Sequence, residues 1–233
     1  MQRLLAWHTR IGHLGLRLLC LQLLWLGWTV RGGIVLGVFP ATAAVHGILR
    51  ADARREDLAP GDVPELRGLR AQVRDLWRRE FAVANRLGAV LTLLWAVVLV
   101  DRAVVANVDL GSLGPVLQGA HTVGGVVLGV LTVLVWPLQA HFDEGPFALL
   151  RRSVVMMLGR PAITAITALG VGIVLYMYYL IPGLIPVFGL IAPAAIATAC
   201  LWRMGVLGGT SVPTTAAETA VPRPVAMAAG GAR

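Results

Sequence analysis

The sequence predicts an all-α, polytopic helical membrane protein with five to six membrane segments and amphipathic cytoplasmic helices. Hydrophobic residues make up 57% of the 233 residues and charged residues only 14%, whereas a soluble domain carries roughly 25% charged residues. Apolar runs of about 20 residues recur along the chain, which is the length a helix needs to cross the hydrocarbon core of a bilayer. We therefore expect one membrane domain, residues 1–205, followed by a tail.

The charged residues are concentrated in segment 50–86, which holds nine of the twenty arginines and seven of the twelve acidic residues. The formal net charge is +8. The arginines flank apolar runs, and this distribution is typical of the cytoplasmic side of a membrane protein. We therefore expect segment 50–86 and the C-terminus to be cytoplasmic. No nucleic-acid-binding motif accompanies the positive charge, and no nucleic-acid partner is expected.

The first apolar stretch allows two arrangements. In one, residues 11–38 form a single long, tilted span with the N-terminus outside. In the other, residues 11–30 and 34–50 form a hairpin that turns at Arg31-Gly32-Gly33, and the second arm is a short or re-entrant crossing of about 25 Å. The arginine bias favours the hairpin. Pro40 is expected to open a new helix at Ala41, because proline fixes its own backbone and restricts the preceding residue.

Periodicity in the rest of the chain predicts interfacial helices as well as spans. Residues 64–80 have one apolar stripe and a basic face, which is typical of an amphipathic helix lying along a membrane surface. The last membrane segment is expected to be kinked at Pro193. Residues 206–233 are rich in Gly, Ala, Thr and Pro and predict a disordered cytoplasmic tail. The further membrane segments are predicted at 82–105, 115–137, 162–181 and 186–203, with a second interfacial helix at 147–159.

The sequence carries no pattern typical of an enzyme or of a metal site. It has no lysine, and therefore no phosphate-binding Gly-x-x-x-x-Gly-Lys loop. No Cys/His group has zinc spacing, and no serine has the His/Asp setting of a nucleophile. We expect no catalytic residue, no metal, no cofactor and no enzymatic activity.

Polar groups inside the predicted spans are the places where a solute would bind. The spans contain no acidic residue at mid-membrane depth, which argues against a proton- or sodium-coupled carrier. Arg31, His46 and His121 are candidates for a polar cavity, although Arg31 also fits a snorkelling residue at a hairpin turn, and the histidines fit interfacial or hydrogen-bonded roles. Gly125-x-x-x-Gly129 is a candidate helix-packing motif, because glycines one turn apart let another helix approach closely.

Two motifs resemble the YesL-like family of bacterial integral membrane proteins, a domain of unknown function. The first is Gly37-Val38-Phe39-Pro40-Ala41-Thr42-Ala43-Ala44, followed by Arg50. The second is Leu76-Trp77-Arg78-Arg79-Glu80-Phe81, followed by Ala84-Asn85-x-x-Gly88 and, at the far end of the span, Asp101. The candidate structural residues from these motifs are Gly37, Pro40, Ala41, Thr42, Ala44, Trp77, Glu80, Phe81, Asn85, Gly88 and Asp101.

The resemblance implies a location in the bacterial plasma membrane and an accessory or scaffolding role. Members of the family are often found in the company of carbohydrate ABC-type uptake systems. The implied partners are membrane lipids together with ABC-type permease subunits or a second copy of the chain. The alternative is a small independent solute carrier or channel, because Pro40 and the Pro182/Pro186/Pro193 series predict interrupted helices, which line binding sites in transporters.

Overall fold

The computed structural model of the protein describes residues 2–58, 66–108 and 111–207, with side chains except at 2–11 and 57–58. Over these ranges the chain forms eight α-helices and no strand, which confirms the all-α fold class. Most of the predicted tail, from residue 208 onward, lies outside the described residues. In chain order the helices are α1 (Gln2–Arg31), α2 (Val35–Leu58), α3 (Leu69–Asn107), α4 (Leu113–His141), α5 (Pro146–Gly159), α6 (Pro161–Leu180), α7 (Leu184–Phe188) and α8 (Ile191–Arg203).

Four of these helices are long and apolar enough to cross a membrane: α1 over Gly12–Arg31, α3, α4 and α6. Large aliphatic side chains on them point away from the protein, such as Leu93 on α3, which is 65% exposed, and Leu169 on α6, also 65% exposed. Such surfaces are stable against lipid and unstable in water. The chain is therefore a polytopic helical membrane protein.

The four spans are fewer than the five to six expected. Segment 34–50 lies in α2, whose C-terminal half is charged, and this helix does not have the composition of a span. Segment 186–203 is divided between the five-residue α7 and the 13-residue apolar helix α8, which is too short to count as a span. The difference between the expected count and the four helices found comes from these two segments.

Helices α1 and α2 form a hairpin, which is one of the two arrangements that the sequence allows. The chain turns at Gly32–Ile34, where Gly33 has φ of 75° and Ile34 has φ of 62°. The Ile34 N–H donates to the Thr29 carbonyl at 2.9 Å, so the turn satisfies a carbonyl that the end of α1 leaves free. A glycine with positive φ is the usual way to end a helix, because it has no Cβ to clash.

Pro40 does not open a helix as expected. Helix α2 begins at Val35 and continues through Pro40 without interruption. Pro40 and Ala41 are fully enclosed by neighbouring helices, and this packing outweighs the hydrogen bond that an interior proline removes from its helix. The prediction failed because it rests on the local backbone preference of proline, whereas the packing of neighbouring helices around Pro40 decides the structure.

The segments expected as an interfacial helix at 64–80 and a span at 82–105 lie in one continuous helix, α3, which begins at Leu69. Residues 79–84 are helix-compatible and contain no Gly or Pro that would break it. The expected kink at Pro193 was wrong, because Pro193 does not lie inside a span. It is the third residue of α8, where its missing N–H removes no helical hydrogen bond.

Candidate functional site

Helix α2 is the enclosed centre of the bundle and contacts α1, α3, α4 and α8. From Pro40 to Leu49 every residue is buried except Gly47, which is half-buried. Ala41 and Ala44 are completely inaccessible. Small side chains on several faces allow four helices to approach one helix at the same time. The second half of the first family motif, Pro40 to Ala44, therefore lies in a fully enclosed stretch of α2.

The two family motifs meet at Phe39 and Gly88. A Cβ on Gly88 of α3 would overlap the ring of Phe39 on α2. On its other side, the Phe39 ring stacks against Trp136 of α4, with ring centroids 6.2 Å apart and planes at 11°. Only a glycine at position 88 leaves room for this ring. The contact explains why a phenylalanine in one motif and a glycine in the other belong together.

Gly37, at the start of the first motif, marks a second close approach. A Cβ on Gly37 would collide with the Thr29 carbonyl oxygen and would lie 2.9 Å from the Gly32 Cα. The backbones of α1 and α2 are therefore in contact beside the hairpin turn. Any side chain at Gly37 would force the two arms of the hairpin apart.

The aromatic residues of the second motif form a cluster of tilted rings where α3 passes α1. The Trp77 ring lies 5.2 Å from Trp28 and 4.9 Å from Phe81, and the indole Nε1 of Trp77 is buried without a hydrogen-bond partner in the described residues. Asn85 donates from Nδ2 to the Phe81 carbonyl at 2.8 Å. Glu80 accepts from the neighbouring Arg79 at 2.9 Å, so these two polar residues of the motif interact within α3.

Polar side chains of α2 are tied to two neighbouring helices. Trp25 of α1 donates from Nε1 to the Thr42 hydroxyl at 3.2 Å, and Thr42 donates in turn to the Val38 carbonyl. His46 Nδ1 lies 3.2 Å from the Thr198 hydroxyl of α8. Buried polar groups that are bonded in this way fix one packing arrangement of the helices.

The three residues considered for a polar cavity lie apart. His46 is in the core beside Thr198, whereas Arg31 ends α1 and its guanidinium lies 5.6 Å from the centre of the Trp28 ring. His121 of α4 instead forms an ion-pair contact with Asp101 of α3. The Asp101 of the family motif is therefore joined to His121, a partner that the sequence did not suggest. Gly125 and Gly129 meet no neighbouring atom within 4 Å of a Cβ built on them.

Sequence reasoning missed an ion pair that links the arms of the hairpin. Arg17 donates from Nε and Nη2 to the two carboxylate oxygens of Asp52, both at 2.7 Å. The side chains are 5% and 18% exposed. Arg17 lies 14 residues before the end of α1 and Asp52 lies 17 residues after the start of α2, so the hairpin places the two charges at similar distances from the turn.

A second missed group lies where α4 ends and α5 begins. Glu144 pairs with Arg152, and the Arg152 guanidinium also lies 4.0 Å from the centre of the Phe142 ring. The hydrogen bond from Arg152 lowers the pKa of the Glu144 carboxyl below its ordinary value. Nearby, Arg50 donates to the Ala140 carbonyl at 2.6 Å and attaches α2 to the end of α4. Within the described ranges, no three His, Cys, Asp or Glu side chains form a group able to hold a metal.

Comparison with known proteins places both motifs inside one family. The model of the family described as "Protein of unknown function, DUF624" matches residues 18–102. Among relatives from Bacillus subtilis (strain 168), "Uncharacterized protein YteU" is 30% identical over 168 residues, 72% of this chain and 71% of the relative. "Uncharacterized protein YesL" is 26% identical over 155 residues, 66% of this chain and 68% of the relative. "Uncharacterized protein YesV" is 26% identical over 166 residues, 71% of this chain and 76% of the relative.

No solved structure matches the chain. The family model includes Gly37, Gly88 and Asp101, and the sequence resemblance noted from the two motifs is confirmed. The chain belongs to the DUF624 family of YesL-like proteins.

Proposed function

We propose that the protein is an accessory or scaffolding component of a bacterial carbohydrate uptake system of the ABC type, and that it is not an enzyme. The association with sugar uptake comes from the resemblance to YesL-like proteins. The fold supports a structural role within a membrane, because several of its polar side chains bond one helix to another. Membrane lipids and permease subunits are the partners that this role requires.

The observation that carries the proposal is that three pairs of buried or half-buried polar side chains bond across helices. Trp25 bonds to Thr42, His46 to Thr198 and Trp95 to Thr132. Each contact joins two different helices. A carrier needs polar groups that are free to exchange partners with a solute, whereas a scaffold needs a core with one stable arrangement.

A scaffold also needs a surface for its partner, and α6 offers one. Leu169, Ile173 and Tyr179 on this helix are 65%, 55% and 80% exposed. An aromatic and aliphatic face of this kind can pack against a permease helix within the bilayer through van der Waals contacts. We assign this face to the partner and the outward face of α3, including Leu93 and Val97, to lipid.

The orientation belongs to the same proposal. We place the protein in the plasma membrane with segment 50–86 and the C-terminus in the cytoplasm. Support comes from the exposed side of α3, which carries Arg70, Arg74 and Arg78 near its start and aliphatic residues such as Leu93 and Val97 further along. Arginines beside a span favour the cytoplasmic side.

Affinity purification from native membranes in mild detergent tests the accessory role. The tagged chain is expressed in bacteria growing on a complex polysaccharide, and the expected result is co-purification of ABC-type permease subunits. The triple substitution Leu169→Ala, Ile173→Ala and Tyr179→Ala should reduce their recovery, whereas the control pair Leu93→Ala and Val97→Ala should not. Failure to recover a permease with the unmodified chain would contradict the proposal.

The second candidate function is an independent small carrier or channel, and the break between α7 and α8 favours it. Gln22 of α1 is 3% exposed, and its Oε1 has no hydrogen-bond partner in the described residues. Its Nε2 lies 3.1 Å from the position of a Cβ on Gly189, between the two helices. Interrupted helices beside a free polar group line binding sites in transporters.

Flux measurements separate the two functions. The purified chain is placed in lipid vesicles and tested with a panel of sugars and ions. Flux that Gln22→Leu abolishes would establish the carrier and contradict the accessory role. Absence of flux for every solute, together with recovery of permease subunits in the purification, is the result that the accessory role predicts.

A further inference from the structure

A polar cleft lies between the end of α3 and the start of α4. Its volume is about 420 Å³. The accessory role makes no use of this cleft. The lining residues are Arg102, Ala106, Pro115, Gln118, Gly119 and Thr122.

The cleft has a net positive character. Asp101, the carboxylate closest in sequence to Arg102, is in contact with His121. In the described part of the chain, no carboxylate lies within ion-pair distance of the Arg102 guanidinium, and Arg102 is exposed. Gln118 adds an amide donor to the same wall. A guanidinium and an amide facing one opening suit a phosphate, which accepts strong charge-assisted hydrogen bonds.

Two glycines of α4, Gly125 and Gly129, follow the cleft along the helix. Gly125 and Gly129 follow Thr122 at intervals of three and seven residues, which places them on one face of α4. Thr132 lies three residues further on, and its hydroxyl accepts from Trp95 of α3 at 3.1 Å, so this face is turned toward α3. A Cβ at Gly125 or Gly129 would meet nothing within 4 Å. The side of α4 that faces α3 is therefore open beside these two glycines, and this open strip is called the slot.

We propose that this site binds one phospholipid, with the headgroup phosphate on Arg102 and Gln118 and an acyl chain along Gly125 and Gly129. The polar cleft lies next to the apolar slot, just as the phosphate of a phospholipid lies next to its acyl chains. A free phosphate would use only the cleft and would leave the slot empty. The inference does not depend on the accessory role, since a carrier or a scaffold would bind the lipid equally.

Lipid retention by the purified full-length chain tests the proposal. The protein is loaded in detergent with phosphatidylglycerol or phosphatidylcholine, washed with lipid-free detergent and examined by native mass spectrometry. Arg102→Gln removes the cation and should weaken retention of phosphatidylglycerol about ten-fold, the effect of losing a hydrogen bond to a charged group. Gly125→Leu should fill the slot and reduce the retention of both lipids.

Two matched variants control for general effects. Arg86→Gln removes an exposed arginine near the middle of α3, where Arg86 bonds to the Ala82 carbonyl of its own helix. Gly172→Leu adds the same side chain on α6 at a glycine whose Cβ also meets nothing within 4 Å. Both should retain lipid as the unmodified chain does. Thermal unfolding checks that each variant is folded, and Gly125→Ala replaces Gly125→Leu if the larger side chain prevents folding.

The outcomes decide between a lipid and other occupants. Retention that falls with Arg102→Gln and with the Gly125 variant, but not with the controls, supports the proposal. Equal retention in all variants overturns it. Protection from thermal unfolding by inorganic phosphate alone, lost in Arg102→Gln and unaffected by the Gly125 variant, would identify a free-anion site and would also overturn it.

Discussion

The ring of Phe39 on α2 occupies the space where a side chain on Gly88 of α3 would begin. This contact joins the two motifs by which the sequence resembles its family, although Phe39 and Gly88 are 49 positions apart in the sequence. The same ring stacks on Trp136 of α4, so three helices meet at one aromatic side chain. The packing of the bundle therefore depends on the absence of a side chain at one position.

The first prediction concerns this contact. Gly88→Ala should lower the free energy of unfolding by about 1–3 kcal/mol, because the Phe39 ring must move in a packed core. Gly172→Ala is the control, since a Cβ there meets nothing within 4 Å, and it should be neutral or stabilising. Thermal unfolding in detergent measures both.

A double-mutant cycle shows whether the effect acts through Phe39. Phe39→Leu, with its smaller side chain, should reduce the destabilisation by Gly88→Ala, giving a coupling of about 1 kcal/mol. Strictly additive effects of the two substitutions would contradict the proposed steric clash.

The second prediction concerns the ion pair between Arg17 and Asp52. Asp52→Asn removes the carboxylate that accepts two hydrogen bonds from the buried Arg17 guanidinium and should cost about 1–3 kcal/mol, which lowers Tm by about 5 °C in a chain of this size. Replacing both residues by leucine should recover most of the loss, because an apolar pair needs no desolvation of charge.

The exposed pair between Arg74 and Asp75 is the comparison. Its side chains are 47% and 64% exposed, so Asp75→Asn should cost less than about 1 kcal/mol. If Asp52→Asn changed Tm no more than Asp75→Asn, the pair of Arg17 and Asp52 would not hold the hairpin together.

The third prediction is a pH dependence at Glu144. The hydrogen bond from Arg152 lowers the pKa of Glu144 in the folded state, so the carboxylate stabilises the fold fully at a pH above its ordinary pKa of 4.5. This stabilisation is lost as the pH falls through the lowered folded pKa. The unmodified chain should therefore have a higher Tm than Glu144→Gln at neutral pH, and the difference should disappear in acid. A difference that persists unchanged at low pH would show that Glu144 acts through something other than its charge.

The fourth prediction concerns the bond between His46 and Thr198. Thr198→Val keeps the shape of the side chain but leaves the buried imidazole without this partner, and it should cost about 1–3 kcal/mol. Thr198→Ser keeps the hydroxyl and should cost less. Equal destabilisation by the two substitutions would mean that the methyl group of Thr198, and not its hydroxyl, holds α2 to α8.

Composition and the spacing of apolar residues were sufficient to predict a helical membrane protein, and the two motifs were sufficient to predict its family. Both depend on local properties of the chain. Helix continuity was harder to predict. The sequence predicts a helix start at Pro40, because the backbone preference of proline is a local property. The four helices that enclose Pro40 cannot be seen in the sequence.

Contacts between helices were not predictable for a related reason. Asp101 and His121 were both named as candidates, but a single sequence contains no distance between α3 and α4. Phe39 and Gly88 likewise belong to two motifs whose separation in space depends on how the hairpin crosses α3. The roles of Arg31, Gly125 and Gly129 in function remain predictions.

Thiol accessibility in intact cells tests most directly whether lipid surrounds the bundle while segment 50–86 faces the cytoplasm. Cys20 and Cys200, both half-buried, are replaced by alanine, and single cysteines are placed at the exposed positions Ala71 and Val108. A membrane-impermeant maleimide should label Val108→Cys in intact cells and Ala71→Cys only after the membrane is permeabilised. Labelling of Ala71→Cys from outside intact cells would contradict the account.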